Sequence, residues 1–482
     1  MRYPELAVIF CLYFCIASAA GVDAQSRKPN VLLIAIDDLR TNLGCYGDPI
    51  AVTPNIDRLA KQALTFDSAY CQQAVCNPSR QSMMTGRRPD TIRVWNLKDH
   101  FRKTAPDAVT LPEYFKRHGY FAQSFGKIFH GIRGMNDPQS WSAPEEFDHA
   151  DKIEDYGRPL DKNDPRKNRA KQEAAVRADN DDSDYTDGKV AQAAIEAMRR
   201  LAEKKEQPFF LAVGFRKPHL PFAAPARYWD LYEPKRILVP DESIPENAPS
   251  IALHDSVELR GYTDIPDKGT ISAETARRLR HGYYAATSFV DEQVGKVIRE
   301  LERLGLDRNT IVVLYSDHGF HLGEQGMWAK ATNYEVAVRV PLIIKAPGKA
   351  NSGRRSNALV ELIDIYPTLV ELCGLPSAPE LDGTSLVPIL AEPSVCVKDF
   401  ALSQFPRPWE LNKPPKNMGY SLRTKEWRYV EWVSMDSRGV LARELYHLRD
   451  RSMERRNLAA DPAYAEQVRV MSRKLARLTA PH

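Results

Sequence analysis

Cysteine is scarce in this chain, with seven in 482 residues. The five beyond the N-terminal apolar run, Cys45, Cys71, Cys76, Cys373 and Cys396, are too widely spaced for a zinc site or a disulfide scaffold. Charge of one sign is also lacking. The 67 basic side chains nearly balance 63 acidic ones, and a net +4 over this length does not argue for a nucleic-acid partner. Affinity for an anion must therefore come from local clusters. Long hydrophobic runs are missing too: Leu6 to Ile16 is too short to span a bilayer stably, and no later stretch is longer. There is no internal repeat and no low-complexity segment. What remains is ordinary globular composition, 43% apolar and 27% charged, at a length that calls for one large domain plus a smaller one.

The N-terminus reads as a signal peptide over residues 1–24. Arg2 supplies the positive start, Leu6 to Ile16 the apolar stretch, and Ala17-Ser18-Ala19-Ala20 or Val22-Asp23-Ala24 the small residues for cleavage. The expectation is an exported protein with no membrane attachment after cleavage, secreted or periplasmic, or lysosomal in a eukaryote. Cys11 and Cys15 leave with the signal. The odd count of five that remains suggests one thiol with a different fate, and Cys76 is the candidate.

Along the chain, the apolar runs Asn30 to Ile36, Pro208 to Gly214 and Thr310 to Tyr315 read as strands buried on both faces, with further strands at Tyr120 to Phe125 and Val340 to Lys345. Helical patterns alternate with them at 53–60, 76–86, 111–118, 188–201, 274–304 and 362–372. Ser272 caps the longest and Gly305 ends it. This alternation predicts an α/β sheet covered by helices on both faces. Residues 150–187, charged and poor in large apolar side chains, read as a surface excursion forming a rim or lid. Residues 235–270 are Pro-rich and irregular. After about Pro393 the pattern turns to period-two alternation at 420–424 and 427–432, with a last helix near 465–478. The expected division is a large domain at 27–393 and a smaller α+β subdomain with an antiparallel sheet at 394–482.

Chemistry-bearing residues gather at the strand ends. Asp37-Asp38 closes the first strand and Asp317-His318 the fourth; Lys127 and His130 follow the second, and His219 follows the third. Strand ends are where open α/β sheets place their sites. Three carboxylates around one point need a cation, and hard oxygens suit Ca²⁺ or Mg²⁺ better than zinc. The alternative for either Asp of the pair is a turn cap. Arg80, Lys127, Lys330 and His219 would supply cationic donors to an anionic ester. In Cys76-Asn77-Pro78-Ser79-Arg80, Pro78 suits the first position of a helix that Gly86 can close. Cys76 would then lie just before the helix N-terminus with Arg80 on the same face, where negative charge on sulfur is favoured. A plain buried cysteine remains the other reading.

The pattern Cys76-x-Pro78-Ser79-Arg80 followed by Thr85-Gly86-Arg87 resembles the signature of the type I sulfatases, and the resemblance spans nearly the whole mature chain. Within that family the likeness is greatest to the branch acting on iduronate 2-sulfate. It is carried by Asp37-Asp38-Leu39-Arg40, Gln72 to Arg80, Lys217-Pro218-His219, Ser316 to Gly319 and Trp328-Ala329-Lys330. The resemblance implies the alkaline-phosphatase-like fold, a large mixed, mostly parallel sheet between helices, with the catalytic domain at 27–393. It implies that a maturation enzyme oxidises Cys76 to formylglycine, whose hydrate attacks sulfur. It implies that Asp37, Asp38, Asp317 and His318, with the modified Cys76, bind calcium. Arg80, Lys127, His130, His219 and Lys330 are implied to hold the hydrate and the sulfate. His219 or Lys330 would protonate the leaving alcohol, and His130 would help expel sulfate. The implied substrate is a sulfated saccharide, a uronate or related sugar, in a dead-ended pocket. A phosphate or phosphonate monoester hydrolase, or a non-catalytic glycan binder with an intact Cys76 thiol, are the competing readings. Asn77 and His321 depart from the family pattern.

Overall fold

Seven strands form the main sheet of the computed structural model, which describes residues 28–131, 134–148, 156, 172–204, 206–348, 353–378, 380–409, 413–448 and 454–479. The expected signal peptide and most of the 150–187 excursion lie outside the described residues. The strands are β1 (Asn30–Ile36), β2 (Leu64–Tyr70), β3 (Phe121–Gly126), β4 (Phe209–Phe215), β5 (Thr310–Ser316), β6 (Arg339–Lys345) and β7 (Arg355–Glu361). Their spatial order is β7-β2-β6-β5-β1-β4-β3, and only β6 runs antiparallel to its neighbours. The sheet is thus mixed and mostly parallel.

Central β1 is buried on both faces, as its unbroken apolar run requires. Val31, Leu33 and Ala35 face a layer built from α2 (Cys76–Thr85), α3 (Leu111–Arg117) and α6 (Ile365–Leu372). Leu32, Ile34 and Ile36 face α1 (Pro54–Ala60), α4 (Thr186–Glu203) and α5 (Ala273–Arg303). Ser272 caps α5 by accepting from Thr275 N at 3.2 Å, as the sequence predicts. Strands β2 and β7 were not expected. Asp67 interrupts the apolar pattern of β2, yet it pairs with Arg355 on neighbouring β7. A long-range partner therefore satisfies a polar residue that local pattern counts against a strand.

A second, four-stranded antiparallel sheet contains β8 (Ala401–Arg407), β9 (Asn417–Arg423), β10 (Trp427–Ser434) and β11 (Val440–His447), covered by α7 (Ala465–Leu478). It is joined to the large sheet by Gln404 N donating to Gln72 O at 2.8 Å and by a buried charge cluster. Arg428 of β10 pairs with Glu335 and lies 3.0 Å from Glu454, while Tyr70 of β2 donates to Glu335 at 2.8 Å. Burial alone would raise the Glu335 carboxyl, but Arg428 and Arg423 outweigh it and hold it at about 2. A depressed carboxyl contributes stability that is complete above the unfolded value of about 4.3 and lost as pH falls toward the folded value. Glu335→Gln should therefore weaken the protein at neutral pH and flatten its acid unfolding curve between about pH 5 and 2. An acid curve unchanged by the substitution would place that stability on another carboxylate.

Candidate active site

The site is assembled at the C-terminal ends of the parallel strands. At the end of β1 the backbone turns through a left-handed residue, Asp38 (φ 60), and brings both carboxylates toward one point. Asp38 N donates to Asp317 Oδ1 at 3.2 Å, and Tyr283 of α5 donates to Asp38 O at 2.8 Å. Asp317 and His318 follow β5. Lys127 follows Gly126 (φ 78) at the end of β3. Beyond β4, buried Asp187 accepts from Arg216 N and Lys217 N, both at 2.8 Å, and so shapes the turn that carries His219. Burial pushes the Asp187 carboxyl up to about 6 against those two bonds.

Helix α2 supplies Cys76 and Arg80 and is buried along its whole length. It starts two residues earlier than expected. Val75 is the extended N-cap, Cys76 is the first helical residue, and Pro78 is the third. Gly86 closes the helix in the left-handed conformation, with φ 65. A proline at the third position costs no helical hydrogen bond, since the first N–H groups have no intrahelical partner.

All ten residues singled out from the sequence come together. Cys76 Sγ lies 3.5 Å from Asp37 Oδ1, 3.5 Å from Lys127 Nζ and 3.4 Å from His318 Nε2. Lys127 Nζ also bonds Asp37 Oδ2. His318 Nε2 stands 3.4 Å from Asp38 and 3.6 Å from Asp317. Lys330 Nζ holds both oxygens of Asp38, at 3.0 and 2.9 Å. His219 Nε2 is 3.9 Å from Asp38. Arg80, 0% exposed, donates to Asp317 at 2.7 Å and Asp37 at 3.2 Å, and to the Lys127 and Ile128 carbonyls. His130 is buried, and neither ring nitrogen has a protein hydrogen-bond partner. Lys127 and His130 reach the site from a bend rather than from the helical turn considered for them. His321 is not part of the cluster; it bonds Thr332 at 2.8 Å.

The electrostatics correct one expectation. As a thiol, Cys76 is pushed up by burial and by Asp37, against Lys127 and Lys330. The helix N-terminus does not make it a ready thiolate. The odd-count argument also falls, since Cys45, Cys71, Cys76, Cys373 and Cys396 are all unpaired. Burial would raise Asp37, but Lys127 and Arg80 hold it well below the usual carboxylate range. Asp38 goes the other way: burial lifts it well above that range and Lys330 offsets only part, while Asp37, Glu258 and Asp317 add to the rise. Burial drives His130, His219 and His318 down, with Lys127 adding at His130 and Lys330 at His219.

Three features escaped sequence reasoning. Glu258, from the irregular 235–270 stretch, reaches His219 and Lys330. Ala329 and Ala331, on either side of Lys330, both have φ 76, a conformation costing roughly 1–2 kcal/mol for an L-residue. Asp187 gave no signal because its partners are backbone groups about thirty residues away.

A family profile described as Sulfatase matches residues 29–375, and one described as N-sulphoglucosamine sulphohydrolase, C-terminal, matches residues 323–481. The chain is 37% identical to iduronate 2-sulfatase of Mus musculus over 89% of both chains. It is 36% identical to the Homo sapiens enzyme over 89% of this chain and 90% of that one. Among solved structures, a phosphonate monoester hydrolase of Agrobacterium radiobacter superposes with a TM-score of 0.76 at 23% identity, covering 93% of this chain and 95% of that one. A 2-O GAG sulfatase superposes with a TM-score of 0.70 at 23% identity, covering 94% and 93%. Likeness at that identity speaks for the fold, whereas the family profile and these iduronate 2-sulfatases at 36–37% identity speak for the lineage. The chain belongs to the sulfatase family and is a sulfuric ester hydrolase.

Proposed function

We propose that this enzyme removes sulfate from a terminal sulfated uronate or related sugar, in the manner of iduronate 2-sulfatase. One observation carries the reading. Acidic groups suited to a metal and cationic groups suited to sulfate converge on Cys76 from five separate elements. The likeness to two iduronate 2-sulfatases supports the sugar.

The residues fit calcium. Ligand atoms of Asp37, Cys76, Asp317 and His318 lie within 4.8 Å of one another, as do those of Asp37, Asp38, Cys76 and His219. Burial and, after it, the neighbouring carboxylates raise Asp38, which a divalent cation on hard oxygens offsets. They also fit a modified Cys76, because the sulfur is surrounded by a carboxylate, an ammonium and an imidazole, more polar partners than a thiol can use. Calcium would be held by Asp37, Asp38, Asp317, His318 and the modified Cys76 and would supply Lewis-acid charge, while formylglycine at position 76 would supply a hydrated aldehyde as nucleophile. Lys127 and His130 bind sulfate oxygens on the inner side. Arg80 locks Asp37 and Asp317 in place. His219 or Lys330 gives a proton to the departing sugar oxygen.

The maturation enzyme must reach Cys76 before the chain closes, because residues 76–85 are all buried once α2 is packed. The apolar N-terminus supports export to a secreted, periplasmic or lysosomal location, and among the described residues no helix is long and apolar enough to cross a membrane.

Sulfate release from defined saccharides tests the reading. A disaccharide ending in 2-O-sulfated iduronate should be desulfated faster than matched phosphate esters and faster than internally sulfated long chains. Preference for the phosphate ester would move the enzyme to the phosphohydrolase reading, and release mainly from chain interiors would remove the dead-ended pocket. Chelation should abolish turnover and lower the melting temperature, since a ligand at one hundred times its Kd contributes about 2.7 kcal/mol. If neither changes, the calcium assignment is wrong.

A further inference from the structure

Glu258 sits where the proton for the leaving alcohol has to come from. Its Oε1 lies 3.0 Å from Lys330 Nζ and 3.4 Å from His219 Nε2. On the far edge of the imidazole, His219 Nδ1 lies 2.6 Å from Leu220 O. A carbonyl only accepts, so Nδ1 carries a hydrogen and Nε2 is the atom turned toward Glu258. The Glu258 side chain is 27% exposed and the Lys330 side chain beneath it 5%. The His219 side chain is 25% exposed, so the carboxylate and the imidazole stand together at the mouth, over the Lys330 ammonium.

The segment holding Glu258 is built to stay put. Leu259 is fully buried, and Arg260 donates to Asp255 O, Pro266 O and Gly269 O at 2.7, 2.8 and 2.7 Å. Ser256 enters the short turn with φ 62, and its Oγ accepts from Trp328 N at 2.9 Å, two residues before Lys330. Lys330 itself is flanked by Ala329 and Ala331, both at φ 76. Left-handed backbone at non-glycine residues persists only where the surroundings over-determine it. Here it occurs on both sides of one ion pair.

We propose that Glu258 is a positioning residue that holds His219 Nε2 and Lys330 Nζ on the alcohol side of the scissile bond. The proposal rests on the assignment of those two groups as the proton source. As the S–O bond breaks, its electron pair stays on the sugar oxygen. That oxygen takes a proton from Lys330 Nζ, or from His219 Nε2 when the ring carries both protons, and the N–H pair remains on nitrogen. Glu258 exchanges no atoms; it accepts hydrogen bonds and fixes direction.

The test compares Glu258→Gln, Glu258→Asp and His219→Ala on a sugar sulfate and on nitrophenyl sulfate, whose leaving group needs little protonation. Glu258→Gln should lower kcat on the sugar sulfate by about 10- to 100-fold, part of the 10²–10⁴ that general acid catalysis supplies. It should lose clearly less on the aryl ester, leave KM for the sugar nearly unchanged, and be partly rescued in Glu258→Asp. The ratio between substrates on one variant is insensitive to the folded fraction. Equal losses on both esters, or no loss on either, would overturn the proposal. A gain on both would also overturn it, by showing that Glu258 competes with sulfate for the cations. His219→Ala separates the two ideas. A substrate-selective loss there without one in Glu258→Gln removes Glu258 alone, whereas equal losses in His219→Ala remove His219 as the acid and leave Lys330 in that role.

Discussion

Replacing Cys76 with alanine is expected to abolish turnover on sugar and aryl sulfates alike, a loss of about 10⁴- to 10⁶-fold, the scale seen when a covalent nucleophile is removed. Folding should survive. The thiol is buried among Asp37, Lys127 and His318; without it, Asp37 still pairs with Lys127 and Arg80, and His318 still faces Asp38 and Asp317. The same chemistry predicts the covalent state of the active protein. As a thiol, Cys76 is pushed up by burial and by Asp37, which disfavours the thiolate. Mass spectrometry of the peptide containing Cys76 should show an aldehyde in place of the thiol. An intact thiol in fully active enzyme would end the mechanism proposed here. Cys76→Ser sharpens the comparison: a serine ester lacks the second hydroxyl that expels sulfate and must wait for water, so turnover should stall even where sulfate is captured.

Arg80→Met should have the largest effect on stability, about 3–5 kcal/mol, the usual cost of removing one partner from a buried ion pair. Arg80 is fully buried, and its guanidinium is committed to Asp37, Asp317 and two carbonyls. Methionine fills much of the volume but leaves Asp317 without its guanidinium and Asp37 with Lys127 alone. Arg80→Lys should fare little better, because an ammonium cannot make the forked set of bonds. Denaturant unfolding measures the loss, and added calcium should recover part of it by neutralising the same carboxylates. Activity should fall equally on sugar and aryl sulfates, since Arg80 does not face the leaving group. A variant with wild-type stability and reduced activity would instead place Arg80 on the sulfate.

Much of this protein could be read from one chain. Strands β1, β4 and β5 are continuous apolar runs because both faces are buried, and each ends where the polar site begins. The 31 residues of α5 carry a regular apolar stripe between Ser272 and Gly305. Every residue expected at the site is there, because strand ends in a parallel sheet converge on one edge and the motif at 76–80 names the helix that faces them. Other parts were not legible. Strands β2, β7 and β8 mix polar and apolar residues whose partners lie on other strands, as Asp67 depends on Arg355 and Ser403 on Cys71. The direction of β6 leaves no trace in its own composition.

Glu258 marks the boundary most clearly. It sits in a Pro-rich stretch without periodicity, 72 positions from Lys330, and nothing local sets it apart from other surface glutamates. Sequence by itself determined the α/β alternation, the buried strands, the signature helix and the set of acids and cations at the strand ends, since each is written in the spacing of neighbouring residues. Tertiary structure alone decided which cation meets which carboxylate. Arg80 went to Asp37 and Asp317, Lys127 to Asp37, and Lys330 to Asp38 and Glu258. The reason is physical: periodicity is set by the geometry of one helix or strand, whereas the pairing of buried charges is set by which elements pack together and by the need to leave no charge uncompensated where water is excluded.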